Sequence, residues 1–331
     1  MTKTFWTRRQ MLATGAAALA MPALIRPARA ATVVRWGTVL AMTHPSAIMM
    51  ERVAKQVKEE TGGSLEIQTF PSGQLGSSRD LIEATSTGAI RLVDEGAAQF
   101  GQFVAQFSIL EAPYIWRDPK HVRTVLSSSI MDDFNKQLVE KRGMRVIGST
   151  YYGKRHVTSG TKPIKTVDDM KGFKLRIPEV DTFRAMTEAW GAKPTPLNIS
   201  ELYLALSQGL VDGQENPLPT IQSTKLYEVQ KFLVLTGHII TPRLVVVNEA
   251  AWKGLSAKEQ TSLKDSLTLQ GIWQDEEIVG QEAKLADTFK AGGMTVVEPD
   301  LDSFRKPVLA AVPPKFEAKW GKGLWEKIAA L

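Results

Sequence analysis

The chain of 331 residues has no cysteine and only four histidines. Without cysteine it forms no disulfide, no iron–sulfur cluster and no thiolate zinc site. The histidines are far apart, and none has the spacing of a helical zinc motif: they are His44, His121, His156 and His238. The sequence also lacks a GxSxG nucleophile elbow and the glycine-rich loops that hold nucleotide phosphates. We therefore expect no metal and no cofactor.

Hydrophobic runs of membrane-spanning length, about 20 residues, are missing after residue 30. Residues 1–30 instead have the pattern of an export signal. Arg8 and Arg9 precede a moderately apolar run from Ala13 to Ile25, and small residues at a cleavage pattern end at Ala30. A paired arginine before a weakly apolar run favours twin-arginine export over general secretion. The sequence therefore predicts a signal peptide of the twin-arginine type over residues 1–30.

The excess of basic charge is confined to this predicted signal. Five of the 41 basic residues lie within residues 1–30, where no acidic residue occurs, which leaves 36 basic against 35 acidic residues. The basic isoelectric point therefore does not indicate a nucleic-acid or anionic-membrane partner. The remaining chain of about 300 residues is long enough for two domains.

From Ala31 onward, short β-rich runs alternate with longer helical runs. Val33–Gly37 and Leu65–Phe70 have the pattern of strands, and Pro45–Thr61 between them has the pattern of a helix. Strands separated by helices predict an α/β protein with a parallel or mixed sheet covered by helices.

Two segments repeat one order of elements, in which a helix ends at a glycine, a short strand follows and acidic residues come next. The segments are Asp80–Glu95, with its strand expected at Ala89–Val93, and Asn198–Glu215, with its strand expected at Leu210–Val211. Such units are common in α/β proteins, so the repetition also fits two unrelated units. The alternative is two similar lobes that face one another, each presenting the end of a strand to a shared cleft.

A long helix is predicted near the end of the chain. Ser256 and Glu259 form a capping-box start, and helical periodicity continues to about Lys290. Roughly 34 helical residues would extend about 50 Å, which is longer than one lobe of this size. We therefore expect a helix that lies across both lobes, with bends at Gly271 and Gly280.

Arg176 is the strongest candidate for ligand recognition. It lies on a predicted strand, Lys174–Ile177, and Pro178 restricts the exit of that strand, so the sheet would set its direction. A guanidinium group can bind both oxygens of a carboxylate, which a lysine cannot do. A surface ion pair is the alternative role for a lone arginine.

Asn216 and Arg155 are two further candidates. Asn216 stands between an Asp-Gly turn and Pro217, and its amide can both donate and accept hydrogen bonds. It could also be the N-cap of a helix that begins at Pro217. Arg155 could supply a second cation to a ligand or be a solvated loop charge.

Ordered motifs along essentially the whole chain after residue 30 resemble those of the substrate-binding proteins of TRAP transporters, the tripartite ATP-independent periplasmic carriers, of the DctP type. These motifs are Pro71–Gly76, Ala112–Tyr114, Gly153–Arg155, Asp168–Pro178, Gly191–Pro196, Glu201–Leu206, Val211–Pro217, Tyr227–Lys231 and His238. The resemblance implies a two-lobed periplasmic protein with mixed sheets and a hinge. Lobe I is expected to contain residues 31–152 and 242–281, and lobe II residues 153–241 and 282–331.

The resemblance also implies a function and its partners. Such a protein closes on an organic acid and delivers it to a sodium-driven permease made of a small and a large membrane subunit. It is a binding protein rather than an enzyme, and we expect a monomer without a nucleic-acid partner.

Roles for individual residues follow from the resemblance. Arg176 is implied to form the bidentate bond to the ligand carboxylate, with further ligand contacts from Arg155, Asn216 and Glu95. The segment Thr38–His44 is implied to contribute through Thr43 and His44. Asn198 is also expected to contact the ligand. At Asn198–Ile199 the chain departs from the sialic-acid binders of the family, which place an aromatic residue near the ligand. The same substrate is therefore not implied.

A sugar acid such as a uronate or an aldonate is favoured as the ligand, because several polar side chains could pair with hydroxyl groups. They are Asn216, Glu95, Gln214, Thr43 and His44. A C4-dicarboxylate or a 2-oxo acid is the alternative if Arg155 and His156 meet a second carboxylate. An exported enzyme acting on carboxylates, with Glu95 and Glu215 as acid and base, is a further alternative.

Overall fold

The computed structural model describes Met1 and residues 31–331. Apart from Met1, the twin-arginine signal predicted over residues 1–30 lies outside the described residues. Residues Thr32–Leu331 form one compact unit. Among the described residues, no helix has both the length and the apolar character needed to cross a membrane.

Nine strands of this unit form a mixed sheet. They are β1 (Thr32–Gly37), β2 (Leu65–Phe70), β3 (Leu92–Gly96), β4 (Met144–Ser159), β5 (Lys174–Ile177), β6 (Lys193–Pro196), β7 (Gly213–Pro217), β8 (Phe232–Asn248) and β9 (Thr295–Val297). Their order is β2-β1-β3-β8-β4-β7-β5-β6, and β9 lies beside β8. The α/β class with a mixed sheet is therefore confirmed.

Eleven α-helices of the described residues pack around the sheet. They are α1 (Pro45–Glu60), α2 (Ser78–Thr87), α3 (Pro119–Leu126), α4 (Ser129–Arg142), α5 (Asp181–Ala189), α6 (Ile199–Ser207), α7 (Leu218–Ser223), α8 (Glu249–Gly254), α9 (Ala257–Ala291), α10 (Leu301–Trp320) and α11 (Leu324–Ala329). Short 3-10 helices occupy Ala97–Gln102, Ala105–Glu111, Val167–Met170 and Leu226–Glu228.

The two long strands β4 and β8 organise the sheet. They pair in an antiparallel ladder from Met144 opposite Asn248 to Ser159 opposite Phe232. β3 pairs with the C-terminal part of β8, and β7 pairs with the C-terminal part of β4. The short strands therefore join the ladder at its two opposite ends, and each end carries its own group of strands and helices.

Helix α9 runs along both groups. It begins at the capping box of Ser256 and Glu259 and continues for 35 residues through Gly271 and Gly280. Residues from its first half lie in a core cluster with β1, β2 and α1, whereas residues from its last turns lie in a separate cluster with α6 and α7. The predicted helix across both lobes is thereby confirmed.

The two repeated segments differ from expectation in where their strands lie. The predicted strand Ala89–Val93 is shifted to Leu92–Gly96, so that Asp94 and Glu95 lie inside β3 rather than after it. The predicted strand Leu210–Val211 is a bend, and the strand is Gly213–Pro217 instead. Polar residues are poor predictors of a buried strand, but here ion pairs with β8 and β4 stabilise them inside the sheet.

Candidate functional site

Two buried ion pairs hold β3 and β7 to the long strands. Arg155 on β4 binds Glu215 on β7, with Nε at 2.5 Å from Oε2 and Nη2 at 2.8 Å from Oε1. Arg243 on β8 binds Asp94 on β3, with Nε at 3.0 Å from both carboxylate oxygens. All four residues are at most 4% exposed. Because each pair is fully desolvated, loss of either partner would leave a buried charge without compensation.

The Arg155 pair is extended by two neighbouring side chains. Glu215 Oε2 also lies 3.2 Å from Nε2 of His238. Burial opposes ionisation of Glu215, but Arg155 and His238 outweigh it, so the pKa of this carboxyl is lowered. Arg155 Nη2 donates to Asn216 Oδ1 at 3.1 Å, and Asn216 Nδ2 donates to Gln214 Oε1 at 2.6 Å. These two bonds set the orientation of the Asn216 amide.

Arg176 on β5 is the third buried arginine of the described chain, and it differs from the other two. It is 3% exposed, and its Nε and Nη2 donate to the carbonyl oxygen of Leu197 at 2.9 and 2.5 Å. It forms no ion pair with any residue in 31–331, whereas Arg155 and Arg243 each bind a carboxylate. Burial lowers the pKa of Arg176 to about 10, so it is still a cation at neutral pH. A carboxylate arriving from outside could therefore supply the missing counter-charge.

All three buried arginines line one cavity of about 90 Å³. Arg155, Arg176 and Asn216 line the side formed by β4, β5 and β7. Glu95 and Arg243 line the side formed by β3 and β8. Residues of β3 and β7 thus line one cavity, which agrees with the second of the two interpretations of the repeated segments.

Five of the seven residues predicted to contact a ligand line this cavity: Arg176, Arg155, Asn216, Glu95 and Asn198. Asn216 is not a helix N-cap, because α7 begins at Leu218 and Pro217 is its cap. Asn198 does cap a helix, since it forms a capping box with Glu201 at the start of α6.

The other two predicted residues, Thr43 and His44, lie outside the cavity lining. Thr43 is exposed. His44 is the N-cap of α1, where Nδ1 accepts a hydrogen bond from the amide of Ser46 at 3.1 Å, and its Nε2 lies 3.3 Å from Oγ1 of Thr220. Burial and, to a lesser extent, Arg243 lower the pKa of His44 to about 3, so its ring is neutral. Both ring nitrogens are already engaged, which explains why it does not face the cavity.

Two buried charged residues of the lining, Arg243 and Glu111, were not predicted from the sequence. Arg243 stands next to the apolar run Leu244–Val247, which is the same signal that drew attention to Arg176. Glu111 is a lone acid after Ile109 and Leu110. A search for charged residues beside apolar runs would have indicated both positions as candidates for buried charges.

Neither His156, expected to meet a second ligand carboxylate in a C4-dicarboxylate or 2-oxo acid binder, nor Glu215, one of the two acid–base residues of the enzyme alternative, lines the cavity. Nδ1 of His156 accepts a hydrogen bond from the Gly237 amide at 3.1 Å, and burial lowers the pKa of His156 to about 3. Glu215 is held by Arg155.

Comparison with known proteins identifies the architecture. The model of the DctP family, described as bacterial extracellular solute-binding protein, family 7, matches residues 36–319. The sialic acid-binding periplasmic protein SiaP of Vibrio cholerae is 30% identical over 302 residues, which cover 91% of this chain and 94% of SiaP.

Solved structures agree with the sequence match. A TRAP periplasmic solute-binding protein of Polaromonas sp. JS666 bound to D-erythronate is 32% identical, with a TM-score of 0.86 and coverage of 91% of this chain and 99% of that one. The sugar acid-binding protein DctPAm of Advenella mimigardefordensis, in complex with galactonate, is 26% identical, with a TM-score of 0.86 and coverage of 91% and 97%. The chain therefore belongs to the DctP family of bacterial extracellular solute-binding proteins and is a two-lobed periplasmic solute-binding protein of the TRAP type.

Proposed function

We propose that the protein captures a small organic acid by pairing the ligand carboxylate with Arg176. The observation that carries this proposal is the unpaired charge of Arg176 in the cavity, beside two buried arginines that already have carboxylate partners. A bidentate bond to a ligand carboxylate would compensate this charge in a site shielded from water, where charge-assisted hydrogen bonds are strong.

The ligand that fits the rest of the cavity best is a sugar acid, with a uronate or an aldonate favoured. Two buried oxygen atoms of the lining, Glu95 Oε1 and Thr241 Oγ1, have no hydrogen-bond partner among the described residues. Buried polar groups normally have partners, and ligand hydroxyl groups would provide them. The erythronate and galactonate bound by the two similar structures support the same class.

The alternative ligands have less support. A C4-dicarboxylate or a 2-oxo acid would require Arg155 and His156 to receive a second carboxylate. Arg155 is already bound to Glu215, and His156 is neutral and outside the lining.

We propose binding without turnover. Acid–base catalysis by Glu95 and Glu215 would need both carboxyl groups beside one substrate bond. Glu215 is engaged with Arg155 and does not line the cavity, which favours a carrier over an enzyme. The acid would be delivered to a sodium-coupled permease of a small and a large membrane subunit, by a monomeric protein exported through its signal peptide.

Closure would follow from ligand contacts in both predicted lobes, residues 31–152 with 242–281 and residues 153–241 with 282–331. A shift of register between Tyr151 and Gly153, opposite Thr241 and Pro242, supports a hinge at the predicted boundaries. Arg176 belongs to lobe II in this division and Glu95 to lobe I. An acid that touches both would bind the closed state more tightly and shift the equilibrium towards it.

A thermal-shift screen of organic acids, followed by calorimetry on the hits, tests this function. A ligand that binds the native state raises the unfolding midpoint by mass action. We expect Arg176→Ala and Arg176→Lys to abolish high-affinity binding without loss of fold, because neither variant has the guanidinium fork. Arg184→Lys, at an exposed position of α5, is the matched control. Unchanged affinity in Arg176→Lys, or conversion of the bound acid to a product, would contradict the proposal.

A further inference from the structure

Glu111 is a second buried acidic residue of the cavity lining, besides Glu95. It is the last residue of the 3-10 helix Ala105–Glu111, is 4% exposed and lines the cavity. The carboxyl accepts a hydrogen bond from the amide of Ala98 at 2.8 Å and forms no ion pair with any described residue. Gly96 makes room for it, since a Cβ atom at that position would lie 2.7 Å from Glu111 Oε1. The turn after β3 is thus built to admit this carboxyl group.

The buried charges around the cavity do not balance. Three arginines face four acidic groups, of which Asp94 and Glu215 are bound to Arg243 and Arg155. Glu95 lies 3.7 Å from Arg243, which it shares with Asp94. A ligand carboxylate at Arg176 adds one further negative charge, and a second ligand carboxylate would add another beside acidic groups.

Glu95 and Glu111 together are called the acidic wall of the cavity. Hydroxyl groups and carboxylates of a ligand would interact differently with this acidic wall. A hydroxyl group can donate a hydrogen bond to Glu95 or Glu111, whereas an ionised carboxylate has no proton to donate and is repelled. An aldonate and its aldarate differ only at the end of the ligand far from the first carboxylate, where the aldonate has a hydroxyl group and the aldarate has a second carboxylate. The acidic wall therefore favours the acid with one carboxylate.

Ionisation of Glu111 depends on its surroundings. Burial raises the pKa of Glu111 to about 7, an effect opposed by Arg155, the Ala98 amide and Arg243 and reinforced by Glu215. Glu111 is therefore mostly ionised at pH 8. The other buried acid of the lining, Glu95, also has a raised pKa, through burial.

We infer that Glu111 determines specificity by excluding acids that carry a second carboxylate at the end remote from Arg176. This inference rests on the proposed pairing of a ligand carboxylate with Arg176. It narrows the ligand class to polyhydroxy monocarboxylic acids and assigns a role to a residue that the sequence motifs did not single out.

Two matched pairs of acids test the inference: D-galactonate with galactarate, and D-erythronate with meso-tartrate. Calorimetry at pH 8 would compare the affinities of the wild type, Glu111→Gln and the control Glu59→Gln, which removes an exposed charge of α1 outside the cavity. We expect the wild type and the control to prefer the monocarboxylate of at least one pair by about 100-fold or more. In Glu111→Gln, which keeps an acceptor for the Ala98 amide, we expect tighter binding of the dicarboxylate and a preference of about 10-fold.

If Glu111→Gln does not fold, the pH dependence of the preference in the wild type alone tests the inference. Between pH 8 and pH 6 the preference should fall, because protonation of Glu111 removes its charge. A preference that is the same in Glu111→Gln and the wild type, or is constant over this pH range, would overturn the inference. So would equal binding of the two members in both pairs. These results leave the Arg176 pairing intact, since the Arg176→Lys assay tests it separately. Binding of none of the four acids would overturn this inference, whereas the thermal-shift screen tests the sugar-acid proposal separately.

Discussion

Replacement of Arg176 by methionine should separate ligand binding from stability. The pKa of Arg176 falls from its ordinary value to about 10 on burial, which corresponds to about 3 kcal/mol of destabilisation by the charged group in the ligand-free protein. For a cation with a lowered pKa, this effect is complete at every pH below about 10 and decreases only as the pH rises through that value. It is therefore present under all ordinary assay conditions.

Methionine fills a similar volume and has no charge. The substitution removes the charge penalty, but it also removes the two hydrogen bonds to the carbonyl oxygen of Leu197, which contribute about 1–3 kcal/mol. We therefore expect the free energy of unfolding of ligand-free Arg176→Met to equal that of the wild type or to exceed it by up to about 2 kcal/mol. At a ligand concentration of 100 times Kd the wild type should gain about 2.7 kcal/mol, and the variant should gain nothing.

Urea unfolding with and without the acid found in the thermal-shift screen measures both quantities. Arg184→Met, which removes an exposed arginine of the neighbouring helix α5, is the control and should change stability by no more than about 0.5 kcal/mol. A loss of more than about 2 kcal/mol in ligand-free Arg176→Met would refute the reasoning. It would mean that a group of the protein already compensates the charge of Arg176 in the ligand-free state.

Three further predictions concern the scaffold of the site. Arg243→Met should lower the free energy of unfolding by about 3–5 kcal/mol in urea, in contrast to Arg176→Met, because it leaves its partner carboxylate on β3 buried without a cation; unchanged stability would contradict the ion pair. Gly213→Ala should cost more than about 3 kcal/mol in urea unfolding, because its Cβ would clash with the carbonyl oxygen of Thr158, whereas Gly254→Ala, with open space around it, should be neutral or stabilising. Burial raises the pKa of Asp275 to about 6, so its ionisation removes stability as the pH rises from about 4 to 6. Asp275→Asn should therefore be more stable than the wild type by about 1–2 kcal/mol above pH 6, and a difference that persists below pH 4 in thermal unfolding would contradict this origin.

Local signals of the sequence predicted much of the fold. The capping box of Ser256 and Glu259 marked the start of α9, and the alternation of strand and helix patterns indicated a mixed α/β sheet. Such signals depend on neighbouring residues, so they can be read from one segment of chain. The strands β3 and β7 were misplaced by a few residues because their polar side chains are stabilised by contacts with distant strands, which no local pattern contains.

The sequence by itself determined the class of the protein, its family and the position of Arg176 on a strand that faces the cavity. Only the tertiary structure decided which arginine is available to a ligand. Asp94 and Arg243 are 149 positions apart, and Arg155 and Glu215 are 60 apart, so these pairs exist only because β3, β4, β7 and β8 meet in one sheet. The same packing gives both ring nitrogens of His44 hydrogen-bond partners outside the cavity. It also places the carboxyl group of Glu111 beside Gly96 in the cavity lining. Charge compensation depends on distance in space, and this is why the role of each charged residue appeared only in the folded chain.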